Sequence, residues 1–222
     1  MTTIGFIGSG NIGGTVARLA VAAGYDVVVS NSRGPETLRE FVDDLGAHAK
    51  AATAAEAAAA GDIVVVSVPF KAFPQLPVAE LAGKVVLDTN NYYPQRDGNF
   101  EALDKGEKTS AQLEQEALGS AKVVKVFNNL YSGHLANLSR PAGAADRSAL
   151  PIAGDDAAAK QTATEFLDKI GYDAVDAGTL ADSWRQEPGT PVYGPPYGEY
   201  GVEAGTPASA DQIRQALSEA KR

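Results

Sequence analysis

The sequence predicts an α/β fold with a doubly wound, mainly parallel sheet and a short C-terminal extension. Residues 62–69 form an apolar run that ends at a proline, which is typical of a central parallel strand covered by helices on both faces. Residues 3–7 predict another buried strand, and residues 12–23 repeat apolar and small side chains at helical spacing. A strand, a tight turn and a helix in this order begin a doubly wound sheet.

The turn between that strand and that helix has the pattern G-x-G-x-x-G. Its members are Gly8, Ser9, Gly10, Asn11, Ile12 and Gly13. In the Rossmann fold, one glycine allows the tight turn, the next lets the backbone approach a pyrophosphate, and the third lets helix and strand pack. Free N–H groups and the helix dipole then attract the phosphates. The pattern predicts a dinucleotide site in a Rossmann-type fold; the alternative is an ordinary glycine turn in a parallel α/β protein.

The remaining elements alternate strands with helices, as a doubly wound sheet requires. Further strands are predicted at residues 26–30, 47–51, 84–87, 122–127, 150–153 and 173–177. Helices are predicted at residues 35–45, 53–60, 109–118, 154–170 and 208–220. Thr109 or Ser110 would be the N-cap of the third of these helices. Residues 94–106 are polar and contain glycine, which predicts an irregular loop.

The end of the second strand predicts which dinucleotide binds. Sites that prefer NAD usually carry an Asp or Glu about 20 residues beyond the glycines, where the carboxylate accepts hydrogen bonds from the ribose hydroxyls. This chain has Asn31, Ser32 and Arg33 there, and no carboxylate before Glu36. A carboxylate would repel an adenosine 2′-phosphate, whereas an arginine binds it bidentately. We therefore predict an NADP(H) site; the same residues could also form a polar turn that caps the next helix at Pro35.

Composition argues against several other classes of function. The net charge of −9 argues against a nucleic-acid partner, because phosphate backbones are bound by clustered basic residues. The chain has no cysteine, which excludes disulfides and thiolate catalysis, and His48 and His134 do not form a zinc motif. No signal peptide precedes the first strand, and no apolar run is long enough to span a membrane. We therefore expect a cytoplasmic protein without a metal and without a membrane partner.

The last part of the chain differs in character from the rest. Residues 1–183 carry the predicted NADP-binding domain, and residues 184–222 form the C-terminal extension. Residues 187–201 are dense in Pro, Gly and Tyr, a composition that cannot form a regular element. The tyrosines, with Trp184 nearby, favour an ordered loop over a disordered tail, because disordered linkers are usually poor in aromatic residues. Such a loop would either cover an active site or wrap a second subunit, and both alternatives are open.

Several short motifs occur in a recognisable order. They lie at residues 4–13, 31–33, 67–69, 122–129, 150–156 and 176–180. Together they resemble the NADP-dependent oxidoreductases that use the deazaflavin coenzyme F420 and, more distantly, the reductase domain of membrane ferric reductases. The resemblance covers residues 3–184. Beyond Trp184, members of the family usually have an apolar helical segment and a glycine-rich tail, which this chain lacks.

The resemblance implies reversible hydride transfer between NADPH and F420, in a homodimer. The residues along the pyrophosphate would be Ser9, Asn11 and Ile12. The residues that hold the 2′-phosphate would be Asn31, Ser32 and Arg33. The nicotinamide side would be bordered by Val68 and Pro69. The acceptor pocket would be lined at two strand ends by Asn90, Asn91, Asn128 and Asn129.

Hydride transfer between two cofactors depends on positioning more than on acid–base groups, because the reacting carbons must be held about 3–3.5 Å apart. This fits the absence of an evident catalytic triad or carboxylate pair. Candidates for a proton donor or polariser follow a predicted strand end: Asn129, Tyr131 and His134. Helix packing is the alternative role of His134. Two other functions stay open: an NADPH-dependent reductase of a flavin, quinone, imine or other small acceptor, and an NADPH-binding redox sensor without turnover.

Overall fold

Eight strands form one sheet in the computed structural model, which describes residues 1–222. In chain order the strands are β1 (Thr3–Ile7), β2 (Asp26–Ser30), β3 (Ala49–Ala51), β4 (Ile63–Val66), β5 (Val85–Asp88), β6 (Lys122–Lys125), β7 (Ala149–Gly154) and β8 (Asp173–Asp176). Their order across the sheet is β3-β2-β1-β4-β5-β6-β7-β8. All neighbouring strands are parallel except β6 and β7. The prediction of a Rossmann-type, mainly parallel sheet is confirmed.

Helices lie on both faces of this sheet. In chain order they are α1 (Asn11–Ala22), α2 (Arg39–Leu45), α3 (Ala54–Ala60), α4 (Val78–Leu81), α5 (Pro94–Asp97), α6 (Glu101–Asp104), α7 (Ser110–Leu118), α8 (Ser132–Asn137), α9 (Ala157–Ile170) and α10 (Ala210–Glu219). Short 3-10 helices occupy Pro35–Leu38, Phe70–Gln75, Leu180–Gln186 and Pro195–Tyr197. No helix combines the length and the apolar character that crossing a bilayer requires.

The apolar core is divided by the sheet. On β4, Ile63 and Val65 belong to a cluster of 38 buried residues, whereas Val64 and Val66 belong to a second cluster of 14. Successive side chains of a strand point to opposite faces. The strand β4 is therefore covered on both sides, as its apolar run predicts.

The prediction of an irregular loop at residues 94–106 is wrong, because this stretch contains α5 and α6. Each is a single turn, too short to show a periodic pattern, and tertiary contacts fix the region. The Tyr92 hydroxyl donates to Asp104 at 2.7 Å and accepts a hydrogen bond from the Phe100 N–H at 3.1 Å. The sequence pattern also misses the short helices α4 and α8 for the same reason. The N-cap of α7 is Thr109, one of the two predicted residues.

The C-terminal segment (residues 184–207) is ordered but largely irregular. Val192 and Tyr197 are fully buried within it. The Gly194 N–H donates to the Asn129 carbonyl at 2.8 Å, which attaches the segment to the chain that follows β6. The segment therefore packs on its own chain, at the ends of β6 and β7, before it leads into α10.

Candidate dinucleotide and acceptor site

Close backbone contacts shape the glycine turn between β1 and α1. Gly8 has a φ of +100°, and a Cβ placed on it would lie 2.0 Å from the Ser67 carbonyl oxygen. A Cβ on Gly13 would lie 2.2 Å from the Gly8 carbonyl oxygen. Gly10 differs, because a Cβ there would meet no atom within 4 Å. Gly8 and Gly13 are thus required by packing, and the space beside Gly10 is open to a ligand.

Helix α1 begins directly behind this open space. Its N-cap is Gly10, so no side-chain hydrogen bond caps the helix. The Gly14 N–H donates to the Gly10 carbonyl at 2.7 Å, whereas the N–H groups of the preceding turn have no partner within the helix. Such a helix end binds anions through these N–H groups and through its dipole. The residues present therefore fit the pyrophosphate of a dinucleotide.

The turn that follows β2 is held by Asn31. Its side-chain oxygen accepts hydrogen bonds from the N–H groups of Arg33 at 2.9 Å and Gly34 at 3.0 Å. Its amide donates to the Thr37 hydroxyl at 2.9 Å. The Asn31 side chain thus fixes the turn from within, while Ser32 and Arg33 are exposed on it.

A cleft of about 310 Å³ opens beside this turn, and we call it the α1–α2 cleft. Its lining residues are Ser9, Arg18, Arg33, Thr37, Leu38, Glu40, Phe41 and Asp44. Ser9 comes from the glycine turn and Arg33 from the turn after β2. The fold therefore brings a predicted phosphate contact and the predicted NADP(H) selector to one place.

A second cleft, of about 300 Å³, joins the glycine turn to the ends of β4 and β5, and we call it the strand-end cleft. It is lined by Gly10, Asn11, Ile12, Ser67, Val68, Pro69, Thr89, Asn90, Asn91, Tyr93 and Arg96. The Asn90 side-chain oxygen accepts a hydrogen bond from the Val68 N–H at 2.9 Å, which fixes the wall formed by Val68 and Pro69. Residues predicted to contact the pyrophosphate, the nicotinamide and the acceptor therefore share one continuous cleft.

A buried charge cluster supports Asn90 from below. The Asn90 amide donates to Glu114 Oε1 at 2.8 Å, and the Asn90 carbonyl accepts a hydrogen bond from the Lys125 ammonium. Lys125 also pairs with Asp88 at 2.9 Å, and both side chains are fully buried. Complete burial, followed by the Asp88 carboxylate, raises the pKa of Glu114 well above its usual range. Glu114 Oε2 is buried and has no hydrogen-bond partner, which fits a carboxyl that is protonated and uncharged.

The far wall of the strand-end cleft is tied to the C-terminal segment. The Asn91 amide donates to the Asn128 carbonyl at 2.8 Å and to the Tyr193 hydroxyl at 3.2 Å. The hydroxyls of Tyr93 and Tyr193 lie 2.5 Å apart. Burial raises the pKa of Tyr193, so its hydroxyl remains protonated at neutral pH. The Tyr193 side chain, 100 residues further along the chain than Tyr93, therefore supports this wall without lining the cleft itself.

The candidate proton donors line a different space. Asn129, Tyr131 and His134 lie around a cavity of about 320 Å³ that also contacts Tyr193 and Tyr200, and we call it the aromatic cavity. None of these five residues lines the strand-end cleft. The fold therefore separates the three candidates from the wall predicted to border the nicotinamide.

Two of the three candidates hold the C-terminal segment in place. His134 is buried, and its Nε2 donates to the Val202 carbonyl at 2.8 Å. The Asn129 amide donates to the Val192 carbonyl at 3.0 Å and to the Tyr197 hydroxyl at 3.3 Å. These contacts fit the packing role that the sequence left open for His134.

Sequence reasoning missed several residues of the site. Tyr93 and Arg96 line the strand-end cleft, and their position just after Asn91 at a strand end is a signal that could have found Tyr93. Tyr193 had no such signal, because its contact with Tyr93 spans 100 residues. Arg18 lies on a helix face with no motif around it, and only the fold brings it beside Arg33.

The family model described as NADP oxidoreductase coenzyme F420-dependent matches residues 3–92. SMa0349, a hypothetical protein of Sinorhizobium meliloti with a solved structure, is 30% identical with a TM-score of 0.75, and the match covers 94% of this chain and 97% of that one. A solved structure from Arthrobacter sp. FB24, assigned as a candidate F420-dependent NADP-reductase, is 24% identical with a TM-score of 0.69 over 83% of this chain and 87% of that one. At that identity the likeness shows the fold alone.

Part of a longer curated protein is also similar in sequence to this chain. Metalloreductase STEAP3 of Rattus norvegicus is 29% identical over 192 residues, which is 83% of this chain and 35% of that protein. The chain spans less than about two fifths of the length of the curated relatives that it matches. The matched residues 3–92 contain the glycine turn, the turn after β2 and the wall at Val68. Over residues 3–92 the chain therefore matches the family of coenzyme F420-dependent NADP oxidoreductases.

Proposed function

We propose that this protein transfers a hydride between NADP(H) and coenzyme F420. The strand-end cleft carries the proposal, because it joins the open helix start at Gly10 to the wall of Val68 and Pro69 and to the polar side chains of Asn90 and Asn91. One continuous space of this kind is what two cofactors need for direct transfer. The match of residues 3–92 to the F420-dependent family supports this choice of acceptor.

In this proposal the protein binds and orients, and bound NADPH supplies the hydride. Ser9 and the N–H groups at the start of α1 hold the pyrophosphate, and Ser32 and Arg33, on the turn fixed by Asn31, hold the 2′-phosphate. The hydrogen bond between Val68 and Asn90 keeps the nicotinamide wall rigid, so that the reacting carbons can approach to about 3–3.5 Å. Tyr93, anchored by Tyr193, forms the opposite wall and excludes water from that side.

An absorbance assay with the purified protein tests the proposal. We expect NADPH to be oxidised only when the deazaflavin is added, with an equal loss of the oxidised deazaflavin, and the reverse reaction with reduced F420 and NADP⁺. Absence of turnover in both directions, in protein that still binds NADPH, would overturn the assignment of F420.

Arg33→Ala tests the nucleotide half of the proposal separately. Because Arg33 is exposed beside the α1–α2 cleft, the variant should fold normally and bind NADPH far more weakly, with little change for NADH. Fluorescence titration with both nucleotides measures this. Equal losses for NADPH and NADH would contradict the role of Arg33 as the NADP(H) selector.

A second candidate function is reduction of another small planar acceptor by NADPH. The aromatic cavity favours it, because Tyr131, Tyr193 and Tyr200 surround about 320 Å³ beside the C-terminal segment, which lies outside the residues that match the F420-dependent family. A panel of flavin, quinone and imine acceptors separates the candidates. Turnover with one of these and not with F420 supports the second candidate, and binding of NADPH without turnover across the panel supports a redox sensor.

A further inference from the structure

We propose that Arg18, on α1, is the second cation that binds the 2′-phosphate of NADP(H), and that Asp44, on α2, competes with the phosphate for it. The proposal rests on the NADP(H) site proposed above. It adds a specificity-determining residue that lies outside the turn after β2 and outside the glycine pattern.

The position of Arg18 on α1 points it toward the nucleotide. Arg18 follows Asn11, the first residue of α1, by seven positions, and nearly two helical turns place both on the same face. Side chains on a helix tilt toward its N-terminus, so a long arginine side chain extends from there toward the glycine turn. Arg18 accordingly lines the α1–α2 cleft together with Ser9 and Arg33.

Phe41 restricts where the Arg18 guanidinium can go. The guanidinium carbon lies 5.0 Å from the centre of the Phe41 ring, which is a cation–π distance. Phe41 lines the same cleft and also packs near Gly14 of α1. The stacking keeps the charge at the cleft and reduces the side-chain freedom that binding a phosphate would otherwise cost.

Asp44 gives Arg18 a weak partner when no phosphate is bound. Arg18 and Asp44 lie 3.5 Å apart, and their side chains are 52% and 59% exposed. An exposed ion pair of this length contributes little stability. A phosphate dianion offers more charge and geometry for two parallel hydrogen bonds, so it should displace Asp44. The carboxylates of Asp44 and Glu40 line the same cleft, where they would repel the bound phosphate.

The two halves of this proposal predict effects of opposite sign. Arg18→Gln removes a cation and should weaken binding of a 2′-phosphorylated nucleotide by roughly tenfold, equal to about 1.4 kcal/mol. Asp44→Asn removes the competing anion and should strengthen the same binding by a few-fold. Neither variant should change the binding of a nucleotide that lacks the 2′-phosphate.

Calorimetric titration with adenosine 2′,5′-bisphosphate and with 5′-AMP tests this directly, without any hydride acceptor. Arg214→Gln is the matched control, because Arg214 forms an exposed ion pair with Asp211 on the distant α10. We expect Arg18→Gln to lower the affinity for the bisphosphate only, and Arg214→Gln to change neither ligand. Thermal unfolding of each variant checks that the fold is intact.

Three outcomes would overturn the proposal. One is an Arg18→Gln variant that binds the bisphosphate as tightly as the original protein. Another is an equal loss for both ligands, which would indicate a general charge effect. The third is weaker binding in Asp44→Asn, which would mean that Asp44 orients Arg18 instead of competing for it. These titrations contain no hydride acceptor, so they stay valid even if the protein does not turn over F420. The proposal for Arg18 and the proposal for F420 can therefore fail independently.

Discussion

The glycine turn and the C-terminal segment both contribute to the walls around the candidate site, but they are held in different ways. In the turn, Gly8 and Gly13 approach neighbouring carbonyl groups so closely that a Cβ would lie 2.0–2.2 Å from an oxygen. In the C-terminal segment, the fixed points are side-chain hydrogen bonds at Tyr193 and Tyr197 to residues 48–102 positions away. The first region is shaped by its backbone and the second by long-range side-chain contacts.

Because of this difference, a change of sequence in one region need not alter the other. A pyrophosphate contacts backbone N–H groups, so only a particular turn can bind it. An acceptor contacts side chains, which another segment can replace without changing the sheet beneath. The family match covers residues 3–92, which include the glycine turn but not the C-terminal segment.

The largest effect that we expect comes from a pair of glycine variants that separates packing from binding. Gly13→Ala places a Cβ 2.2 Å from the Gly8 carbonyl oxygen, and relieving this overlap should cost about 1–3 kcal/mol of unfolding free energy. Gly10→Ala meets no atom within 4 Å, and the φ of −73° at Gly10 is open to alanine. Gly10→Ala should therefore unfold like the original protein yet bind NADPH at least about tenfold more weakly.

Thermal unfolding without nucleotide and titration with NADPH measure the two effects. Gly24→Ala is a third member of this series, because its surroundings are empty but its φ is +84°. It should lose stability through backbone strain alone and keep its NADPH affinity. Unchanged NADPH binding in a folded Gly10→Ala protein would show that the pyrophosphate does not lie against Gly10.

The regions whose shape is set by the backbone, such as the glycine turn, could be predicted from the sequence. Glycine, proline and apolar runs report backbone conformation locally, so the strands, the longer helices and the glycine turn could be predicted from spacing alone. The contact between Tyr93 and Tyr193 could not be predicted in this way, because nothing local pairs residues 100 positions apart. Arg18 could not be predicted for the same reason, because its neighbours in the α1–α2 cleft are Ser9 and residues of the stretch 33–44. Single-turn helices such as α5 were not predicted, because one turn is too short to show a repeating apolar pattern.

A smaller effect, on the pH dependence of stability, is expected from Glu114 in the buried cluster that supports Asn90. Because the pKa of Glu114 is raised in the folded protein above the ordinary pKa of 4.5, the folded state keeps a proton that the unfolded state releases above that pH. Stability from this group is fully present below that value and is lost as the pH rises toward the folded pKa, by about 1.4 kcal/mol per pH unit. Glu114→Gln mimics the protonated carboxyl and should flatten this slope.

Denaturant unfolding at a series of pH values from about 4.5 upward measures the slope in both proteins. Glu116→Gln is the matched control, since Glu116 lies on the same helix α7 and pairs with Lys108 at the surface. It should leave the slope of the original protein intact. A Glu114→Gln protein with an unchanged slope would mean that Glu114 is ionised in the folded protein.

The smallest effect concerns the hydroxyl that joins the C-terminal segment to the strand-end cleft. Tyr193→Phe keeps the ring but removes the oxygen that lies 2.5 Å from the Tyr93 hydroxyl and accepts a hydrogen bond from Asn91 at 3.2 Å. We expect a loss of about 0.5–1.5 kcal/mol in unfolding free energy and a several-fold rise in the acceptor KM. The NADPH affinity should not change, because the glycine turn and the α1–α2 cleft do not contact Tyr193. Tyr200→Phe, at a residue that is 83% exposed, should leave all three quantities as they are. If Tyr193→Phe weakened NADPH binding and left the acceptor KM unchanged, the wall that Tyr193 supports would contact the nucleotide and not the acceptor. The proposed division of roles between the glycine turn and the C-terminal segment would then be wrong.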